Sequence, residues 1–165
     1  PFRYLIQHLG VAGEEYDEFK LEAAFTALED LSLFARNRGV EILLENIPNR
    51  LSSAERLINF NELTHLNLNF CFDTGHANIM EGVEAAFILM QDRIRSTHVH
   101  DNNGADDVHL FPTLASGGTI DWKRAMGLLR SRGSQFPLLL ELKDSPDFAH
   151  PIDSAREIFT NLESL

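Results

Sequence analysis

The chain has 165 residues, 44% of them apolar, which is enough for one domain with a sizeable core. Asp plus Glu number 25 against 14 Lys plus Arg, and a surface with a net charge of -11 argues against tight nucleic-acid binding. No apolar run reaches the roughly 18 residues of a membrane span, and a single cysteine excludes an internal disulfide, so a reducing, cytoplasmic compartment fits.

The chain opens on Pro1 without a Met, as expected of an excised piece. Residues 3–8 read as a short strand stopped by Gly10. From 21 to 37 the apolar residues recur at helical spacing, and Gly39 follows as a stop. Residues 40–45 form a nearly continuous apolar run, as expected of a parallel strand covered on both faces. Ser52 or Ser53 is placed to cap a helix to about Leu63. The next strand runs over 68–72 and ends at Asp73, with Cys71 as a buried core thiol. A helix over 83–90, a strand over 94–100 and a long Gly/Asn/Asp-rich loop over 101–118 follow. Asp121 caps a helix through Arg130, residues 137–142 form a strand, and Asp153 caps a last helix towards Leu162. Five β units, each followed by a helix, imply a parallel sheet with right-handed crossovers, either open or closed into a barrel.

The strand ends favour the barrel. In order they are His8, Glu45, Asp73, His98 with His100, and Glu141. Charged groups gathered at one edge of an apolar sheet cost free energy unless paired or coordinated. The C-terminal rim is where a (β/α)8 barrel carries its active site. Three carboxylates with imidazole at one rim repel each other without a cation, and the donor set suits Mn, Mg, Co or Zn.

The phrases Leu44-Glu45-Asn46, Asp73-Thr74-Gly75-His76, His98-Val99-His100-Asp101 and Leu140-Glu141-Leu142 resemble the xylose isomerase-like TIM barrel superfamily, which includes sugar isomerases, epimerases and endonuclease IV. The likeness runs from Leu5 to about Lys143. It implies an α/β fold of (β/α)8 TIM-barrel type, of which residues 1–165 form a single domain holding the C-terminal five βα units, strands 4–8, with three N-terminal units missing. It also implies one divalent ion on Glu45, Asp73, His98 and Glu141. His98 is preferred to His100 because it lies three residues before Asp101. Both histidines should point inward, by strand alternation. The resemblance makes His8, His76, His100 and His109 candidates for substrate binding; Arg50, in the loop after Glu45, is a further one. Asp107-Val108-His109 matches an Asp-x-His phrase of the family. His65 and His150 read as surface residues, and Trp122 as a helix-packing residue. Ser116-Gly117-Gly118 departs from the family's usual Gly-Glu-Gly, which puts the conformation of that loop in question.

The activity so implied is isomerisation or epimerisation of a small sugar, sugar phosphate or polyol, by proton transfer through an enediolate at the metal with Glu45 and Glu141 as acid–base groups. The same residue types serve a metal-dependent abasic-site endonuclease, which is the alternative, along with a non-catalytic metal-binding fragment. Five strands of eight leave two open edges and an exposed inner face with Leu5, Leu43 and Leu139. Self-association or pairing with the missing N-terminal segment is therefore expected.

Overall fold

A computed structural model describes residues 2–132, 137–148 and 150–165. It holds β1 (Tyr4–Gln7), α1 (Glu18–Arg36), β2 (Glu41–Glu45), α2 (Ala54–Leu63), β3 (Asn69–Asp73), α3 (Thr74–Ile79), α4 (Val83–Met90), β4 (Ile94–Val99), α5 (Trp122–Arg130), β5 (Leu138–Leu140) and α6 (Pro151–Ser164), with a 3-10 turn at Gln91–Arg93. The strands lie in the order β1-β2-β3-β4-β5, every neighbouring pair parallel. This is a half-barrel with its helices on the outer face.

Alternation sorts the strand residues into two faces. Ile42 and Leu44 of β2, Phe70 and Phe72 of β3, and Ile94 and Val99 of β4 join Leu28, Leu57, Phe60, Phe87, Met90 and Trp122 in one apolar core under the helices. Burying a side chain of this size is worth about 1.5–3 kcal/mol. Leu43, Glu45, Cys71 and Asp73 take the inner face. One irregularity matters for function. Phe70 pairs with Ile94 but Cys71 pairs with Ser96, so Arg95 is an extra residue in β4. Without that bulge a one-residue slip would turn His98 towards the helices. With it, His98 stands beside Asp73.

Several boundaries differ from the sequence reading. Helix α1 begins at Glu18 because the Asp17 side chain accepts from the Phe19 and Lys20 amides. It ends before Gly39, whose φ of 70° lets the chain turn into β2. Ser53 occupies the N-cap of α2 without a side-chain cap bond. Helix α6 starts at Pro151 with His150 at its N-cap, so Asp153 lies in the first turn rather than capping it. Leu5 pairs with Ile42 and so faces the helix side, and Leu43, in the middle of the arc, is fully buried. Of the three expected to line an exposed interior, Leu139 does so, at 50% exposure. Among the described residues no helix is long and apolar enough to cross a membrane.

Candidate metal centre

The four strand-end residues meet. Single donor atoms of Glu45, Asp73, His98 and Glu141 all lie within 4.8 Å of one another. His98 Nδ1 is 3.0 Å from Glu45 Oε1 and 2.8 Å from Glu141 Oε2. His8 Nε2 closes on the other Glu45 oxygen at 3.0 Å. Asp73 caps α3, its Oδ1 accepting from the His76 amide at 2.7 Å, while its Oδ2 is buried with no hydrogen-bond partner. A buried carboxylate oxygen without a partner, on a residue grouped with two glutamates and an imidazole, is what a cation site looks like, and an O₃N donor set fits a hard or borderline divalent ion.

The electrostatics agree. Burial alone would raise the Glu45 pKa, yet His76, His8 and His98 hold this carboxylate well below its usual range. Burial likewise works against a charged His98, but Cys71, Glu141 and Glu45 push it well above the ordinary imidazole range. Contact with His98 lowers Glu141. Without a cation, protons on the imidazoles offset the carboxylates. Cys71 is buried as expected, but on the inner face, grouped with Glu45 and His98. Burial pushes its thiol up to about 11, so it stays protonated.

A second cluster adjoins the first: His76, His100, Asp107 and His109, again with donor atoms within 4.8 Å of one another. His76 Nδ1 donates to the Asn46 carbonyl and His109 Nδ1 to the Glu141 carbonyl, both at 2.9 Å. That fixes their tautomers and turns Nε2 towards Asp107, at 3.5 and 3.1 Å. Burial opposes a charged His76, but Asp107 and Glu45 push it up to about 10. Asp107 is held low by His109 and His76 against its own burial. His100 is fully buried, stacked on His109 with ring centres 3.8 Å apart, so it offers no surface to a substrate. Arg50 stays outside both clusters and pairs with exposed Glu15 at 3.4 Å. His65 pairs with Glu29 at the surface, and His150 is exposed.

Two residues that hold the site went unassigned in the sequence. Asn46 is buried and pairs with the Asp73 backbone both ways, donating to its carbonyl at 2.9 Å and accepting from its amide at 2.8 Å. Asp101 accepts from the amides of Asn102, Thr119 and Ile120 and from Trp122 Nε1, which ties both ends of the long loop together. A Cβ on Gly118 would lie 2.4 Å from Asp101 Oδ2, so glycine is required there whatever the residues before it. Asn46 had one signal, its place directly after a strand-end Glu; Asp101 had its place after His100.

The sequence model of the xylose isomerase-like TIM barrel family matches residues 3–165. The chain belongs to that family. Among solved structures, a D-tagatose 3-epimerase-like protein superposes with a TM-score of 0.73 at 26% identity, over 98% of this chain and 64% of its own. A xylose isomerase domain protein of Alicyclobacillus acidocaldarius gives 0.76 at 19% identity, covering 98% and 63%, and shares the fold. An uncharacterized protein of Methanocaldococcus jannaschii is 28% identical over 94% of this chain and 61% of its own length. An inosose dehydratase of Yersinia enterocolitica is 23% identical over 76% of this chain and 49% of its own. The chain thus spans about half to two thirds of the length of these four relatives. As a xylose isomerase-like half-barrel, it carries both clusters at the C-terminal ends of its strands, the rim that TIM barrels use for chemistry.

Proposed function

We propose that this chain carries the metal-binding rim of a sugar isomerase or epimerase. The observation behind the reading is the Glu45, Asp73, His98 and Glu141 tetrad with its unpartnered Asp73 oxygen. A divalent ion held there supplies Lewis-acid polarisation of a substrate carbonyl. The chain's own residues move the protons. Glu141 is the most open of the four, its side chain 47% exposed, and its carboxylate is held deprotonated by His98. It takes the proton from the carbon beside the carbonyl. Glu45, buried and ionised at rest, takes a proton from solvent through His8, whose Nε2 lies 3.0 Å away, and passes it to the same carbon in epimerisation, while the proton held by Glu141 goes back to solvent. His76 Nε2 orients a hydroxyl of the sugar or polyol. The names of two relatives, a D-tagatose 3-epimerase-like protein and an inosose dehydratase, support a polyhydroxylated substrate. The exposed inner Leu139 and the open strand edges at β1 and β5 support completion of the barrel by a further segment or a second copy.

The test is proton NMR of ketoses with the Mn²⁺-loaded chain in D₂O. Deuterium should enter the carbon beside the carbonyl and should not do so with Glu141→Gln. Turnover without exchange removes the glutamates from the proton path.

The His76, Asp107 and His109 cluster favours a second reading, a metal-dependent abasic-site endonuclease, through room for another cation. The net charge of -11 counts against a DNA partner. Incision of an abasic duplex by the Zn²⁺-loaded chain would decide for it.

A further inference from the structure

We propose that His100 is a positioning residue of the cation site, and that Gly75 is glycine in order to admit its ring. Each residue of Asp73-Thr74-Gly75-His76 meets His100. Its Nε2 lies 3.0 Å from Asp73 Oδ1, off the ring N–H direction and so without a hydrogen bond. Thr74 Oγ1 clamps its backbone, donating to the His100 carbonyl at 3.1 Å and accepting from the His100 amide at 3.3 Å. A Cβ on Gly75 would sit 2.0 Å from His100 Cε1, 2.4 Å from Nδ1 and 2.5 Å from Nε2. Gly75 lies in α3 and its φ is not in the left-handed region, so backbone freedom does not explain it. Space does. The His76 ring meets His100 edge-on at 5.4 Å.

The consequence falls on Asp73. Its Oδ1 is flanked by the His76 amide and the His100 ring, which leaves Oδ2, the oxygen without a hydrogen-bond partner, as the one available to a cation shared with Glu45, His98 and Glu141. Removing the ring frees the carboxylate to rotate and strips His109 of its stacking partner. The stack also argues against His100 as a ligand beside His109. Two parallel rings, 7° apart in plane, cannot both aim an in-plane lone pair at one ion lying between them.

This inference rests on the cation reading above, and the experiment separates the two. Mn²⁺ is titrated by calorimetry into the full chain and into His100→Ala, His100→Gln, Gly75→Ala and Gly75→Ala/His100→Ala, with Co²⁺ absorption as a second readout. His100→Ala should weaken cation binding by about 10–100-fold, the usual effect of losing a group that orients a ligand. His100→Gln, which keeps a planar side chain against Asp73 Oδ1, should recover most of it. Gly75→Ala should weaken binding like His100→Ala, although alanine is the better helix residue. In the double variant it should add nothing, because the ring it collides with is gone. The Co²⁺ spectrum should change in His100→Ala and return in His100→Gln. Equal affinity and an unchanged spectrum in His100→Ala overturn the inference, as does an additive double variant. Loss of one whole equivalent in His100→Ala also overturns it, by making His100 a ligand. A wild-type chain that takes up no divalent ion refutes the cation reading itself, and this inference with it.

Discussion

Asn46→Ala should destabilise the chain by about 2–6 kcal/mol. The side chain is buried and its two bonds, 2.9 and 2.8 Å, are made to the carbonyl and amide of Asp73. Alanine leaves both of those buried backbone groups unpaired, and each orphan costs about 1–3 kcal/mol. That is a large share of the roughly 5–15 kcal/mol that holds a domain together. Asn46→Asp sharpens the argument. It keeps an acceptor for the Asp73 amide but sets a second oxygen against the Asp73 carbonyl, so it should be no better than alanine. Urea unfolding followed by the fluorescence of Trp122, the one tryptophan, reads the change. Because the same bonds place the Asp73 carboxylate, cation affinity should fall with stability. A change within about 0.5 kcal/mol, the range of an ordinary surface substitution, would refute this account of Asn46.

Gly118→Ala should displace the Asp101 carboxylate at a cost of about 1–3 kcal/mol and shift the single indole N–H signal in an ¹⁵N spectrum; an unmoved signal would mean that the loop is not anchored there. Cation binding should release protons, because His98 and His76 are raised above neutrality while the site is metal-free. Affinity should therefore fall as the pH is lowered, and calorimetry in buffers of different ionisation enthalpy should show proton release. Small-angle scattering of the chain alone should show association through the open edges, and a compact monomer would mean that the exposed inner face is tolerated.

The parallel order of the strands was legible because each buried strand reads as an apolar run and each helix as a 3.6-residue repeat. The candidate tetrad was legible because all its members fall at strand ends. Three features were not. The bulge at Arg95 leaves no mark on composition, yet it decides which way His98 points. The clamps made by Asn46 and Asp101 join residues 27 and about 20 positions apart, and their type, a polar residue after a strand, is common in loops. The inner placement of Cys71 and the burial of Leu43 depend on the register and curvature of the sheet, which an apolar run does not specify. His100 shows the limit from another side. Alternation put it on the inner face, but only the room left by Gly75 shows that its ring is walled in rather than offered to a substrate.

The most direct test of the central claim is a crystal of the chain grown with Mn²⁺ and measured for anomalous scattering. The account predicts a peak bounded by Glu45, Asp73, His98 and Glu141, with Asp73 Oδ2 turned towards it, and no such peak in Asp73→Ala. A wild-type crystal with full-strength Mn²⁺ elsewhere and none among these four residues would contradict it.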